Sequence, residues 1–481
     1  MKPEYILLLM VGYFCLLLIV ARISTKKTDN STFFLGNRQS PWWLVSFGMI
    51  GASLSGVTFI SVPGWVETSG MAYLQMVLGY VVGYFCIAFL LLPIYYKHNT
   101  TTIYGFLAQR YGKVAHTTGA TFFIISRWLG ASFRLYLVAS VLQSLVFDEL
   151  GVSFIWTVLI TLALIWVYTN RGGIRTVIFT DTLQTIAMLG AMCLTIYYVY
   201  NSLDNSNGII NTIFSQDESK WFFPDATDGR NFWKQFLGGI FITLAMTGLD
   251  QDMMQKNLTC RNLKEAQLNM ITLSGVLVFV NALFLSLGVL LLIYARQEGI
   301  EAHGDQLFPA VASYAEIPII VGLLFFIGLI AAAYSSADSA LTSLTTSFCV
   351  DILGIEKMKE SRGLLIRKRV HVGMTLAIAL LIIAARPFVD ASIIKNIFTA
   401  AGYTYGPLLG LFTFGIFSKA KIPNKWIIPF AAILSPLLTY FIGWISPMYF
   451  NYTFGFEIII LNGLLMTMML YFSSSSVKNI S

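Results

Sequence analysis

Residues Ile330 to Val350 read IAAAYSSADSALTSLTTSFCV. The run is long enough to cross a bilayer as a helix, yet it is crowded with hydroxyls. At about 100° per residue, Ser335, Ser339, Thr342 and Thr346 fall on one narrow stripe. Ser336, Ser343 and Ser347 flank it on one side, Asp338 and Thr345 on the other. Ala337, Ala340, Leu341, Leu344 and Phe348 form the opposite face, free to meet lipid or other helices. Ser and Thr in such a helix often bond back to their own carbonyls or glue helices together. A carboxylate there is costly without a partner and marks a functional position. So many oxygens beside Asp338 suit a hard cation such as sodium, which takes oxygen ligands.

The rest of the chain fits a membrane setting. Of its 481 residues 56% are hydrophobic and only 11% charged, with a mean hydropathy of +0.72. A soluble domain carries roughly 25% charged residues. The fold class expected is an all-α polytopic membrane protein. Cys15, Cys86, Cys193, Cys260 and Cys349 lack metal or redox spacing, and the four histidines do not cluster. No catalytic nucleophile has a base beside it and there is no HExxH, so an enzyme is not expected.

The first apolar run, Tyr5 to Val20, is followed by Arg22, Lys26 and Lys27 rather than preceded by positive charge. It shows no small-residue cleavage site, so it reads as a helix with its N-terminus outside. Further spans are expected at about 42–66, 71–96, 117–147, 151–168, 174–201, 232–255, 267–295, 317–350, 370–388, 392–417, 425–445 and 456–474. With the first run they make about thirteen helices. Alternating the loops from outside puts about three times as many Lys and Arg on the inside, as the positive-inside rule requires for an N-out, C-in chain. That asymmetry accounts for the net charge of +7 without a nucleic-acid partner. The expected location is the cell (inner or plasma) membrane, and the tail after Phe472 is short and Ser-rich.

Six charges fall inside spans: Arg127, Arg134, Asp181, Asp250, Asp252 and Asp338. Asp250 and Asp252 lie near a helix end, where solvent or Lys256 can satisfy them. Asp181 and Asp338 lie at comparable depth and are the natural pair to share a cation or a proton. Arg127 and Arg134 are seven apart on one face. Each needs an anion, and Arg134 is the candidate to meet the solute. The span 42–66 contains Gly48, Gly51, Gly56, Pro63 and Gly64, and the span 232–255 contains Gly238, Gly239 and Gly248. Unwound backbone survives in lipid only where it lines a cavity or is buried in protein. Paired breaks in two halves point to an inverted-repeat secondary transporter with its site near the midplane.

Several motifs resemble the sodium:solute symporter family. They are YTNRGGIRTVIFTDTLQ at Tyr168–Gln184, GASLSGVTFIS at Gly51–Ser61 and LDQDMMQKNL at Leu249–Leu258. SSADS at Ser335–Ser339 and GYTYGPLLGLF at Gly402–Phe412 complete the set, which covers about 30–420. The resemblance implies a leucine-transporter-like fold of two inverted five-helix repeats, 42–201 and 232–417. The segment 1–24 precedes them as a single helix, and 425–481 follows with two helices and the tail. It implies a sodium site from backbone carbonyls of Gly51, Leu54 and Ala332 and hydroxyls of Ser335 and Ser336. A second cation site, found in members similar to bacterial sialic-acid symporters, would use Asp181, Ser335, Asp338 and Ser339. Asp338 departs from the Ser those members have, so the ion count stays open. Solute contacts implied are Ser55, Thr58, Tyr73 and Gln75, with Arg134 for a carboxylate. The galactose-binding Gln is replaced by Thr58.

The expected function is therefore sodium-coupled symport of a small organic solute: a sugar, a sialic acid or other carboxylate, or an amino acid. Sodium is the coupling ion, no cofactor is implied, and the partners are the solute and the bilayer, with a monomer expected. A proton-coupled symporter of the same fold is the alternative, because of Asp338. A channel or sensor ranks below both, since no filter repeat or signalling domain is visible.

Overall fold

The computed structural model describes residues 3–24, 30–98, 101–203, 208–225, 228–386 and 393–474. Lys26, Lys27 and most of the Ser-rich tail lie outside these. Among the described residues there is no β-strand, only helices and their connections. The principal helices are α1 (Pro3–Ser24), α2 (Trp42–Ser53), α3 (Gly56–Ser69), α4 (Tyr73–Cys86) and α5 (Lys113–Leu142). They continue with α6 (Phe154–Asn201), α7 (Phe232–Thr243), α8 (Gln251–Asn257), α9 (Leu263–Glu298) and α10 (Ile319–Ser347). The last are α11 (Glu360–Ala385), α12 (Ile393–Thr404), α13 (Gly406–Phe417), α14 (Ile427–Phe450) and α15 (Ile458–Phe472). Among the described residues eight helices are long and apolar enough to cross a membrane, or up to ten if two bent pairs count as one span each. Shorter apolar helices at Phe154–Val167, α13 and α15 stand where further spans were expected.

The serine-rich helix α10 is central. Every residue from Gly328 to Ser347 is buried, so its alanine and leucine face meets helices rather than lipid. It packs along α6 and also against α2, α3, α5 and α11. The apolar faces of α1 and α14 are instead largely exposed, as a lipid-facing rim requires.

Two spans are broken where glycine weakens the helix. Between α2 and α3 the chain bends by 53°. Leu54 leaves helical geometry at φ −89°, ψ 76° and Ser55 is extended. Between α7 and α8 the bend is 68°, after a wide π turn at Leu244–Gly248. Asp250 caps the restarted helix, its carboxylate accepting from the backbone N–H groups of Asp252 at 2.8 Å and Met253 at 3.3 Å.

One connection differs from expectation. Residues 169–173, expected as an inside loop between two spans, lie within a helical run of 48 residues, Phe154–Asn201. Two glycines cost a helix only about 1 kcal/mol each. Here Thr169 adds anchorage, its Oγ1 lying 3.0 Å from the Ile165 carbonyl and 3.1 Å from Nε2 of His371.

Candidate ion and solute sites

The hydroxyl stripe of α10 meets Asp181 of α6 in the interior. Asp181 and Asp338 are both fully buried. Ser335 Oγ donates to Asp181 Oδ1 at 2.6 Å. The other oxygen, Oδ2, accepts from the ammonium of Lys256 at 2.6 Å. That ammonium also lies 2.6 Å from Ser339 Oγ. Ser339 Oγ is 3.3 Å from Asp338 Oδ1, and Thr180 Oγ1 is 3.3 Å from Asp338 Oδ2. Asp181, Ser335, Asp338 and Ser339 thus gather at one place, with a protein ammonium among them. Other hydroxyls of the helix do the ordinary thing. Ser343 and Thr345 bond back to the carbonyls of Ala340 and Leu341, at 3.1 and 2.6 Å.

Lys256 was read from the sequence as a loop residue and a partner for Asp250 and Asp252. The structure exchanges these partners. Asp252 pairs with Arg127, which also stands 3.8 Å from Asp250, and the Tyr405 hydroxyl donates to Asp250. Asp250, Asp252 and Lys256 are all fully buried, so none is left to solvent.

The two breaks differ in what their carbonyls do. At the second, Tyr95 and Tyr104 donate to the carbonyls of Gly248 and Leu249 at 2.8 and 2.9 Å. At the first, Leu54 N–H reaches back to Ile50. Among the described residues no donor outside a helix reaches the carbonyls of Gly51 or Leu54. Gly51 lies against the stripe: a Cβ there would sit 2.2 Å from Thr185 Oγ1 and 3.4 Å from Ser335 Oγ. Ser336 Oγ is buried and has no hydrogen-bond partner among the described residues. The freed carbonyls thus belong to a break that packs on the helix carrying the unspent Ser336 hydroxyl, and Ser335 beside Gly51 keeps its lone pairs after donating to Asp181.

Beside the break is a cavity of about 110 Å³. Ser55, Thr58, Tyr73 and Arg134 line it, together with Leu54 itself. Gln75 does not. Its amide donates to the Arg230 carbonyl at 2.8 Å and accepts from Phe223 N–H at 3.2 Å, so it clamps a connecting segment instead. Arg127 reaches the cavity too but is committed to Asp252. Arg134 makes no hydrogen bond or ion pair with another described residue. Sequence reasoning missed Tyr80, Tyr84 and Asn281 in the lining. Tyr80 and Tyr84 follow Tyr73 at helical spacing, and Asn281 is a lone amide in an apolar span, so the signal was present. The Asn281 side chain spends its N–H on the Leu277 carbonyl at 2.7 Å and leaves Oδ1 buried without a partner.

A family model described as "Sodium:solute symporter family" matches residues 33–422. The chain belongs to the sodium:solute symporter family. Membership makes it a sodium-coupled transporter of a small solute in a membrane, not an enzyme. The human sodium/iodide cotransporter is 25% identical over 406 residues, 81% of this chain and 61% of that protein. The sodium/sialic acid symporter NanT of Aliivibrio fischeri is 25% identical over 437 residues, 86% of this chain and 82% of NanT. The human sodium-coupled monocarboxylate transporter 2 is 25% identical over 417 residues, 81% of this chain and 64% of the relative. The chain thus spans under two thirds of the two human relatives and most of NanT. Among solved structures, a sodium-coupled sialic acid symporter in a substrate-bound outward-open state aligns over 98% of this chain and 99% of its own, with a TM-score of 0.81 at 20% identity. Mhp1, a nucleobase–cation symporter in a closed conformation, aligns over 93% of this chain at a TM-score of 0.59. Both likenesses are of fold.

Proposed function

We propose that this symporter carries a small organic carboxylate inward with sodium, by alternating access. The carrying observation is Arg134, a guanidinium facing the cavity with no carboxylate of its own. A cation held in a low-dielectric setting calls for an anion. Arg127, the other arginine on that face, has its anion already. Iodide, sialic acids and monocarboxylates, the solutes in the names of the three relatives described above, are all anions at neutral pH. Ser55, Thr58 and Tyr73 supply hydroxyls to orient the solute, and Asn281 Oδ1 an acceptor.

The sodium site of this reading is formed by the carbonyls of Gly51, Leu54 and Ala332 and the hydroxyls of Ser335 and Ser336. The unpartnered carbonyls at the break and the orphaned Ser336 Oγ support it. Leu54 borders both this site and the solute cavity. Sodium binding would tie α2 and α3 to α10 and set the cavity for the solute, so each ligand should raise the other's affinity equally. The two bent spans, each opening one half, support inverted repeats at 42–201 and 232–417. The loop charges support an N-terminus outside and a C-terminus inside the cell membrane, and we take the working unit to be a monomer.

Uptake of labelled sugars, sialic acids, amino acids and monocarboxylates by cells expressing the protein tests the solute class. A carboxylate should be taken up and its neutral amide should not compete. Equal competition by acid and amide would reject the assignment of Arg134.

A further inference from the structure

We propose that Lys256 is a built-in cation: its ammonium holds the carboxylate-lined position between α6 and α10, and the transporter therefore binds one sodium ion rather than two. The inference rests on the sodium-site reading above and adds an ion count to it.

The residues that could make a second cation site are present and gathered, but Asp181 and Ser339 among them already engage an ammonium. Asp181 offers two carboxylate oxygens. One is taken by Ser335 Oγ and the other by Lys256 Nζ, each at 2.6 Å. Ser339, a further oxygen ligand for such a site, is also 2.6 Å from the ammonium. Sodium and an ammonium want the same partners, oxygen atoms carrying negative charge, at similar range. Two cations sharing Asp181 and Ser339 would repel each other in a low-dielectric interior. The tethered one has the advantage, because its translational freedom was lost when the chain folded.

The fold explains how a lysine arrives there. The 68° bend before α8 turns Gln251–Asn257 inward, and Lys256 is fully buried at the end of that segment. Its neighbours are buried as well: Gln255 Nε2 reaches Thr346 Oγ1 of α10 at 3.1 Å, and Asn257 Oδ1 accepts from Asn269 at 3.1 Å. Lys256 thus pins the second broken span to α6 and α10. Through Asp181 and Ser335 it connects that span to the proposed sodium site at the first break.

The test is radioactive sodium binding to purified protein, with the sodium dependence of uptake as a second readout. Wild type should bind about one ion per chain, with a Hill coefficient of about 1, because the coefficient cannot exceed the number of coupled sites. Lys256→Gln removes the resident charge and should raise both values toward about 2. Two ions in wild type, or one ion in a folded Lys256→Gln protein, would overturn the proposal. If Lys256→Gln does not fold, the paired neutral variant Asp181→Asn/Lys256→Met takes its place, and it should keep the wild-type count of one. A count of two in that variant, or its loss of all sodium binding, overturns the proposal too. No sodium binding by wild type would instead reject the underlying sodium-site reading.

Discussion

Arg127 and Arg134 sit two turns apart on α5 and have opposite consequences when neutralised. Arg127→Gln strands Asp252 and Asp250 in the interior. Breaking a buried pair by removing one partner costs about 3–5 kcal/mol, so the variant should lose folded protein in a detergent thermal scan. Arg134→Gln leaves no protein carboxylate unpaired. It should keep the wild-type melting temperature while weakening solute binding by roughly 10–100-fold, the loss of a charged hydrogen bond of about 1.5–3 kcal/mol. Ser336→Ala is a third case. Its hydroxyl has no partner to strand, so the fold should be unaffected and only the sodium concentration for half-maximal uptake should rise, several-fold. An unchanged sodium response would remove Ser336 from the site. At this scale the buried charges were legible in the sequence and their partners were not. Arg134 was legible as a charge that needs an anion. Gln75 was not legible as a clamp, since its partners Arg230 and Phe223 are a carbonyl and an amide that any residue carries. Lys256 was hidden because it lies eight residues beyond Gly248, where a positive charge normally belongs to solvent.

The helices show why glycine content alone does not locate a break. The two bent spans were legible from their glycines, yet the Gly172–Gly173 pair lies inside continuous helix. Glycine permits unwinding; what decides is whether the freed polar groups find partners or a ligand. Tyr95 and Tyr104 play that part at the second break. Replacing either by Phe should leave a buried carbonyl unsatisfied and cost about 1–3 kcal/mol, read as a lower melting temperature without a change in sodium affinity. Other glycines serve packing. A Cβ on Gly79 would sit 2.1 Å from the Phe236 carbonyl, and one on Gly239 2.1 Å from that of Met76. Small residues let α4 and α7 bring their backbones together. Gly79→Ala or Gly239→Ala should therefore separate these helices and destabilise the protein clearly. Gly130→Ala, where nothing lies within 4 Å, should be neutral or slightly stabilising. Equal effects at all three would contradict this account of the α4–α7 crossing.

For the whole molecule, the legible part was architecture and the hidden part was electrostatic pairing. Hydropathy indicated a polytopic membrane protein, the hydroxyl stripe a cation-binding helix and the glycine breaks and motifs a transporter, because all are local properties of the chain. The pairings Asp181–Lys256 and Asp252–Arg127 span 75 and 125 residues, and the side chains meet only after the second broken span has turned Asp252 and Lys256 inward. Those pairings answer Asp181 and Asp252, while Asp250 is held by the Tyr405 hydroxyl and Asp338 lies beside the hydroxyls of Thr180 and Ser339. On the proposed reading the molecule has one place for an anion and one for a free cation, both bordered by Leu54. Coupling follows from that shared element. The most direct test is uptake of labelled carboxylates by purified protein in liposomes, with an inward sodium gradient against a potassium control. The account predicts concentrative uptake of a carboxylate that requires sodium and is lost in Arg134→Gln. Uptake indifferent to sodium, or driven by an imposed proton gradient in its absence, would contradict it.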